Sequence, residues 1–78
     1  MDKYIPISCY HYDKLEELAI KNITCEIIYI DQNKQKTTIH EKIKDFKTKN
    51  KQEFVILSNT QIIRLDKIIK VNQLSLKD

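Results

Sequence analysis

The chain has 78 residues, of which 41% are hydrophobic and 32% charged, and its formal net charge is +3. This length fits one domain, and the composition is that of a globular protein rather than a disordered one. Glycine is absent, which excludes a glycine-rich phosphate-binding loop. Turns that need a positive φ are therefore expected to use asparagine or aspartate.

The charge is distributed unevenly along the chain. Residues 1–33 carry three lysines against six acids, a net charge of −3. Residues 34–51 carry seven lysines against two acids, a net charge of +5, and residues 52–78 have +1. An acidic N-terminal part is therefore followed by a basic middle.

The two cysteines, Cys9 and Cys25, do not form a closely spaced pair. The sequence has no apolar run of the length that a signal peptide or a transmembrane helix needs, so we expect a cytoplasmic protein with both thiols reduced. A zinc site formed by both cysteines with His11 and His40 is disfavoured, because structural sites use closely spaced ligand pairs. We instead expect the cysteines to be buried, the histidines to lie at the surface, and no metal or cofactor.

The N-terminal part is predicted to contain a short helix after an extended lead-in over residues 1–8. Pro6 lacks an N–H group and biases Ile5 away from helical angles. The helix is expected within residues 10–21. Its apolar stripe has helical spacing and consists of Tyr12, Leu15, Leu18 and Ala19.

Both ends of this helix have signals in the sequence. Asp13 and Glu16 have the spacing of a capping pair, and Ser8 is a competing cap. Lys21 and Asn22 form a plausible stop.

The remainder of the chain is predicted to form five short strands. The first two, over residues 23–30 and 36–44, are separated by a turn at 31–33, although Ile39, Ile43 and Phe46 in the second also permit a helix. Three further strands are expected, at 54–57, 61–65 and 68–71. Between and after them we expect a polar loop at 47–51, a tight turn at 58–60, a corner at 66–67 and a frayed tail over 73–78.

These elements predict a mainly β fold with one N-terminal helix. A five-stranded meander of this size exposes both edges unless it curls, so we expect a small Sm-like five-stranded barrel capped by the helix. An open α+β sheet with the helix on one face is the alternative.

Two motifs near the ends of the chain carry a resemblance to a known family. The first begins at Tyr4 and reads Tyr-Ile-Pro-Ile-Ser-Cys-Tyr-His-Tyr-Asp-Lys-Leu-Glu-Glu-Leu-Ala, and the second begins at Ile62 and reads Ile-Ile-Arg-Leu-Asp-Lys-Ile. In this order they resemble the Rof family (also called YaeO), small bacterial antiterminators that bind the termination helicase Rho. The resemblance extends approximately from Tyr4 to Val71.

The resemblance implies an Sm-like barrel with an N-terminal helix and an inhibitory function without catalysis. Family members bind the N-terminal RNA-binding domain of Rho and block its primary RNA site, so Rho is the expected partner of a monomeric protein. Carried over by position, the residues that would face Rho are Tyr12, Asp13, Glu16 and Glu17, helped by Tyr10. A second expected contact is the loop Lys49, Asn50 and Lys51. The chain departs from the family in its positive net charge and in Tyr10-His11, which replaces positions that are often acidic.

The residues leave two other functions open. The basic stretch 42–51 is typical of a surface that follows phosphates, which suggests an Sm-like RNA-binding module. Against direct nucleic-acid binding, this stretch contains no arginine, and its one aromatic, Phe46, has the periodicity of a core residue. The lysines of this basic stretch are Lys42, Lys44, Lys47, Lys49 and Lys51.

A third possible function, an accessory subunit of an unrelated enzyme, is supported only by the small size and by the absence of a nucleophile–base constellation.

Overall fold

The computed structural model of the chain describes residues 3–77, so Met1 and Asp2 of the predicted lead-in and Asp78 of the predicted tail lie outside the described residues. Within this range one α-helix is followed by six strands of a single antiparallel sheet. The prediction of a mainly β fold with an N-terminal helix is confirmed, with six strands in place of five. The elements are α1 Cys9–Ile20, β1 Thr24–Ile30, β2 Lys36–Lys49, β3 Gln52–Leu57, β4 Ile62–Arg64, β5 Ile68–Val71 and β6 Leu74–Ser75, with a 3-10 turn Leu65–Lys67 between β4 and β5.

The sheet is open, with the strand order β4-β3-β2-β1-β5-β6. Closure into a five-stranded barrel would require β4 to pair with β5, but β5 already has β1 on one side and β6 on the other. Strand β6 lies in the segment that was predicted to fray, where Leu74 pairs with Val71 and the Leu76 N–H donates to the Ile69 carbonyl at 2.9 Å. A side-chain hydrogen bond crosses the open side of the sheet, where Gln61 Nε2 donates to the Tyr29 hydroxyl at 2.7 Å.

Helix α1 begins at the competing cap. Ser8 has extended backbone angles, and its Oγ accepts a hydrogen bond from the His11 N–H at 3.1 Å. Asp13 lies one turn inside the helix, so the predicted capping pair of Asp13 and Glu16 does not form. Ser8 therefore caps the helix, and Asp13 and Glu16 do not act as caps.

Helix α1 ends where the sequence predicts, in a Schellman-type arrangement. Asn22 takes a φ of 56°, and its N–H donates to the Ala19 carbonyl at 3.1 Å. The Ile23 N–H donates to the Leu18 carbonyl at 3.4 Å. Asparagine here takes the left-handed position that glycine usually occupies.

Strand β2 is longer than predicted and contains a bulge. The register with β3 shifts between Ile43 and Asp45, which places one extra residue in β2. Because of this bulge, Phe46 packs against the core together with Ile39 and Ile43, although a regular strand would direct Phe46 to the opposite face. The bulge therefore explains why these three residues have helical spacing in a strand. The predicted loop at 47–51 shrinks to a two-residue turn at Asn50 and Lys51.

The glycine-free turns use more than asparagine. Asn22, Asn50 and Asn72 have positive φ angles, as the composition predicts. Three further residues with positive φ are neither asparagine nor aspartate, and here the prediction is wrong. They are Lys34, Lys51 and Thr60, with φ angles of 62°, 63° and 71°.

The core lies between α1 and one face of the sheet. Leu15 is the fully buried residue of the helix, and Tyr12, Leu18 and Ala19 pack against the core at its margin, so the predicted stripe is confirmed. The sheet and the 3-10 turn supply the remaining buried hydrophobic residues: Cys25, Ile27, Tyr29, Ile43, Val55, Leu57, Ile63, Leu65, Ile68 and Val71.

Candidate partner-binding site

The solvent face of α1 carries three acids that the fold does not bury. Asp13, Glu16 and Glu17 are exposed, and their spacing places them around one side of the helix opposite the buried Leu15. We call Asp13, Glu16, Glu17 and the neighbouring Tyr10 the acidic helix face. The structure thus brings these four predicted site residues together.

Few contacts hold the carboxylates of this face. Lys21 Nζ lies 3.9 Å from Glu17 Oε1, and both side chains are more than half exposed. An exposed pair of this kind contributes little to stability, so Glu17 remains available to another cation. Within residues 3–77, no ion pair involves Asp13 or Glu16.

The two tyrosines of the predicted site have different surroundings. Tyr10 is 62% exposed. Tyr12 is half-buried, and its ring centroid lies 5.1 Å from that of Phe46 on β2. Burial raises the pKa of the Tyr12 hydroxyl, and the nearby Glu53 and Glu16 add to the effect. Tyr12 therefore anchors the helix to the sheet, and only part of its ring faces solvent.

The predicted second contact forms the tip of the β2–β3 hairpin. Lys49 pairs with Gln52, which leaves Asn50 and Lys51 as the two turn residues. Both have positive φ, as a type I′ turn requires, and all three predicted residues of this tip are exposed. Among the described residues, no hydrogen bond or ion pair joins this tip to the acidic helix face.

An apolar residue that the sequence interpretation missed lies on the same side of α1. Ile20 is 84% exposed, seven residues after Asp13, and so lies near it around the helix axis. The signal was present in the sequence, because Asp13, Glu16 and Ile20 follow the i, i+3, i+7 spacing of one face. Acids beside an exposed isoleucine offer both charge and apolar area to a partner.

Tyr4, the first residue of the N-terminal motif, is fixed to the sheet. Its hydroxyl donates to Glu53 Oε1 at 2.9 Å, and the guanidinium of Arg64 lies 5.7 Å from its ring centroid. Burial, reinforced by the hydrogen bond to Glu53, raises the pKa of Tyr4 to about 12. Tyr4 thus holds the lead-in in place rather than adding to the acidic helix face.

The residues considered for zinc lie in different parts of the fold. Cys9 is exposed at the start of α1, against the expectation that it is buried, whereas Cys25 is buried in β1 and burial raises its thiol pKa. His40 Nε2 lies 3.5 Å from Glu26 Oε2 on the sheet. Within residues 3–77, no three histidine, cysteine or acidic side chains come together in a way that would hold a metal ion.

The basic stretch lies mostly along β2. Lys44, Lys47 and Lys49 are exposed, and Lys47 pairs across the ladder with Phe54, which in turn pairs with Arg64. Phe54 is half-buried, whereas Phe46, the aromatic within the stretch itself, packs against the core as predicted. Lys47 and Phe54 are therefore neighbours on adjacent strands, whereas the Arg64 side chain is largely buried and paired with Asp66.

Comparison with known proteins gives no family assignment. No protein-family model matches the chain, and no curated protein matches it. Of the helices described, none has the length and apolar character to span a membrane.

Proposed function

We propose that this protein inhibits Rho-dependent transcription termination by binding the N-terminal RNA-binding domain of Rho and competing with RNA for its primary site. The observation that carries the proposal is the acidic helix face: three exposed carboxylates beside an exposed tyrosine, with neither capping nor core packing to explain them. The Rof-like motifs supply the identity of the partner, and the physical properties of the surface supply the mode of binding.

Charge complementarity is the physical reason for competition. A site that holds RNA presents cations to phosphates, and carboxylates at a similar spacing are attracted to the same cations. Tyr10 and Ile20 add apolar area next to these charges, which is the composition of a recognition surface. Three acids on one turn and a half of helix can therefore replace a short run of the transcript backbone.

Three features support an Sm-like origin for the scaffold. The strands β4, β3, β2, β1 and β5 follow one another in the sheet in the order of a curled meander, and the hydrogen bond from Gln61 to Tyr29 spans the side that a barrel would close. The 3-10 turn Leu65–Lys67 forms the corner between β4 and β5. In this proposal β6 occupies the edge of β5 and leaves the barrel open.

The test is binding of the purified protein to Rho, with variants that change the acidic helix face. Asp13→Lys combined with Glu16→Lys should abolish binding and the competition with labelled single-stranded RNA, because it reverses two of the three charges. Glu26→Lys reverses the charge of an exposed acid on β1, outside the acidic helix face, and is the control that should leave binding unchanged. Circular dichroism and thermal unfolding verify that each variant is folded. Unchanged affinity in the double variant contradicts the proposed surface.

A second candidate function is direct RNA binding by the basic stretch. The neighbouring Lys47 and half-buried Phe54 on adjacent strands favour it, because an aromatic ring beside a cation is typical of single-strand binding. Tight, steeply salt-dependent binding of RNA oligomers that Lys47→Glu abolishes would establish this function. Weak RNA binding together with tight Rho binding favours the first proposal.

A further inference from the structure

A shallow groove lies beside the acidic helix face, between α1 and the turn that joins β5 to β6. Its volume is about 310 Å³. The helix contributes Tyr10, Lys14, Glu17 and Leu18, and the β5–β6 segment contributes Val71 and Leu74. We infer that this groove receives an arginine side chain of the partner, an inference that rests on the proposed function and adds the β5–β6 turn to the contact surface.

The groove combines an apolar floor with one acid and one aromatic ring. Leu18 and Leu74, both partly exposed, provide aliphatic surface on which the methylene stem of an arginine can lie. Glu17 provides a carboxylate for the guanidinium, and Tyr10 provides a ring face for it. This is the chemistry of a site for a long cation with an apolar stem.

Two lysines of the chain already occupy the positions that such a cation would take. Lys14 Nζ lies 5.5 Å from the ring centroid of Tyr10, and Lys21 Nζ lies 3.9 Å from Glu17 Oε1. Both contacts are at the long end of their kind, and the pair with Glu17 is exposed, so each is weak. A partner can therefore displace them at small cost.

Arginine suits these groups better than lysine does. Its planar guanidinium makes two parallel hydrogen bonds to a carboxylate and stacks on an aromatic ring, and it is less strongly hydrated than an ammonium group. At Glu17 a guanidinium can therefore make a two-point contact where the chain itself offers the single ammonium group of Lys21.

The wall formed by the β5–β6 turn is held in place. Asn72, at the turn, has a φ of 53°, its N–H donates to the Glu26 carbonyl at 2.9 Å, and its Oδ1 accepts from the Glu26 N–H at 2.9 Å. Leu74 is fixed by its pairing with Val71. A preformed groove costs little ordering on binding, which favours affinity.

The first arm of the test needs no partner protein. The full chain is titrated with N-acetyl-arginine amide and, separately, with N-acetyl-lysine amide, and NMR signals of Tyr10, Glu17 and Leu74 are followed. We expect the arginine compound to shift these signals at lower concentration than the lysine compound, and Glu17→Gln to remove the difference. Equal shifts with both compounds, or no shifts at these residues, would overturn the inference.

The second arm measures affinity for Rho. Glu17→Gln and Leu74→Ser should each weaken binding about tenfold or more, the size expected when a charged hydrogen bond or its apolar support is lost. Glu26→Gln, an exposed acid outside the groove, is the control and should leave affinity unchanged.

The outcomes separate this inference from the proposed function. If Asp13→Lys with Glu16→Lys abolishes Rho binding but both groove variants bind like the wild type, the groove inference is overturned and the proposed function stands. If the wild type does not bind Rho, the proposed function fails, and the comparison of the arginine and lysine compounds alone decides whether the groove selects a guanidinium.

Discussion

The guanidinium of Arg64 donates to both oxygens of the Asp66 carboxylate, from Nε at 2.5 Å and from Nη2 at 2.9 Å. Asp66 is buried, and its Oδ2 also accepts the N–H of Ile5 at 3.0 Å, from 61 positions away along the chain. This pair therefore links the corner between β4 and β5 to the lead-in before α1. It also gives the Arg-Leu-Asp motif a structural role, since Leu65 between the two charged residues is fully buried.

Asp66→Ala should destabilise the protein by about 3 kcal/mol, because it removes the buried carboxylate that binds both the Arg64 guanidinium and the Ile5 N–H. The free energy of unfolding, measured by urea denaturation, tests this value. Asp13→Asn is the control at an exposed acid and should change stability by no more than about 0.5 kcal/mol. Equal stability of the Asp66→Ala variant and the wild type would contradict the role given to the corner.

The hydroxyl of Tyr4 makes stability depend on pH above pH 10. An unfolded tyrosine loses its proton near the ordinary pKa of 10.0, whereas folded Tyr4 keeps it until about pH 12. Between these values the unfolded state binds fewer protons than the folded state, so the stability present below pH 10 is lost as the pH rises towards 12.

Tyr4→Phe removes this proton, so the variant should lose less stability than the wild type between pH 10 and about 12. Urea denaturation at several pH values in this window gives the comparison, and titration of tyrosinate absorbance should show that the step at the highest pH is missing in the variant. All other titratable groups are the same in both proteins, so their contribution cancels in the difference. Parallel pH profiles for the two proteins would show that Tyr4 is not held as described.

The sequence predicted those elements whose signals are local. The helix stripe of Leu15, Leu18 and Ala19, the stop at Asn22 and the alternation in β1 depend on neighbouring residues, and the structure has them. The bulge in β2 could not be predicted from local signals. The extra residue is defined only by the pairing of β2 with β3, and that pairing decides which side chains face the core.

The tail and the lead-in show the same limit. Leu74 forms a strand because β5 offers it a free edge, and Tyr4 turns away from solvent because Glu53 lies opposite it, 49 positions later. For the candidate site, the acids of α1 could be predicted from the spacing of the helix. The groove beside them could not, because it exists only where the β5–β6 turn approaches Tyr10 and Glu17.

Thr60→Gly should stabilise the protein by about 1 kcal/mol. Thr60 has a φ of 71°, a region that a β-branched residue enters only with steric strain, whereas glycine enters it freely. The hydroxyl of Thr60 donates to the Asn59 carbonyl in an exposed turn, so little is lost with it. Urea denaturation compares this variant with Thr38→Gly, an exposed position in β2 where glycine should instead destabilise by roughly 0.5–1 kcal/mol. The same sign of change at both positions would contradict the strain assigned to Thr60.

Leu15 and Ile20 on α1 should separate folding from recognition. Leu15 is fully buried, so Leu15→Ala should lower the free energy of unfolding by about 3 kcal/mol, through lost burial and the cavity left behind. Ile20 is 84% exposed, so Ile20→Ser should leave the free energy of unfolding unchanged but weaken the proposed binding to Rho, because it removes apolar area beside Asp13 and Glu16. Thermal unfolding and a Rho-binding titration on both variants provide the two measurements. Ile23→Ser, after the helix and 39% exposed, is the control for binding. If Ile20→Ser binds Rho as tightly as Ile23→Ser and the wild type, this isoleucine is not part of the contact surface.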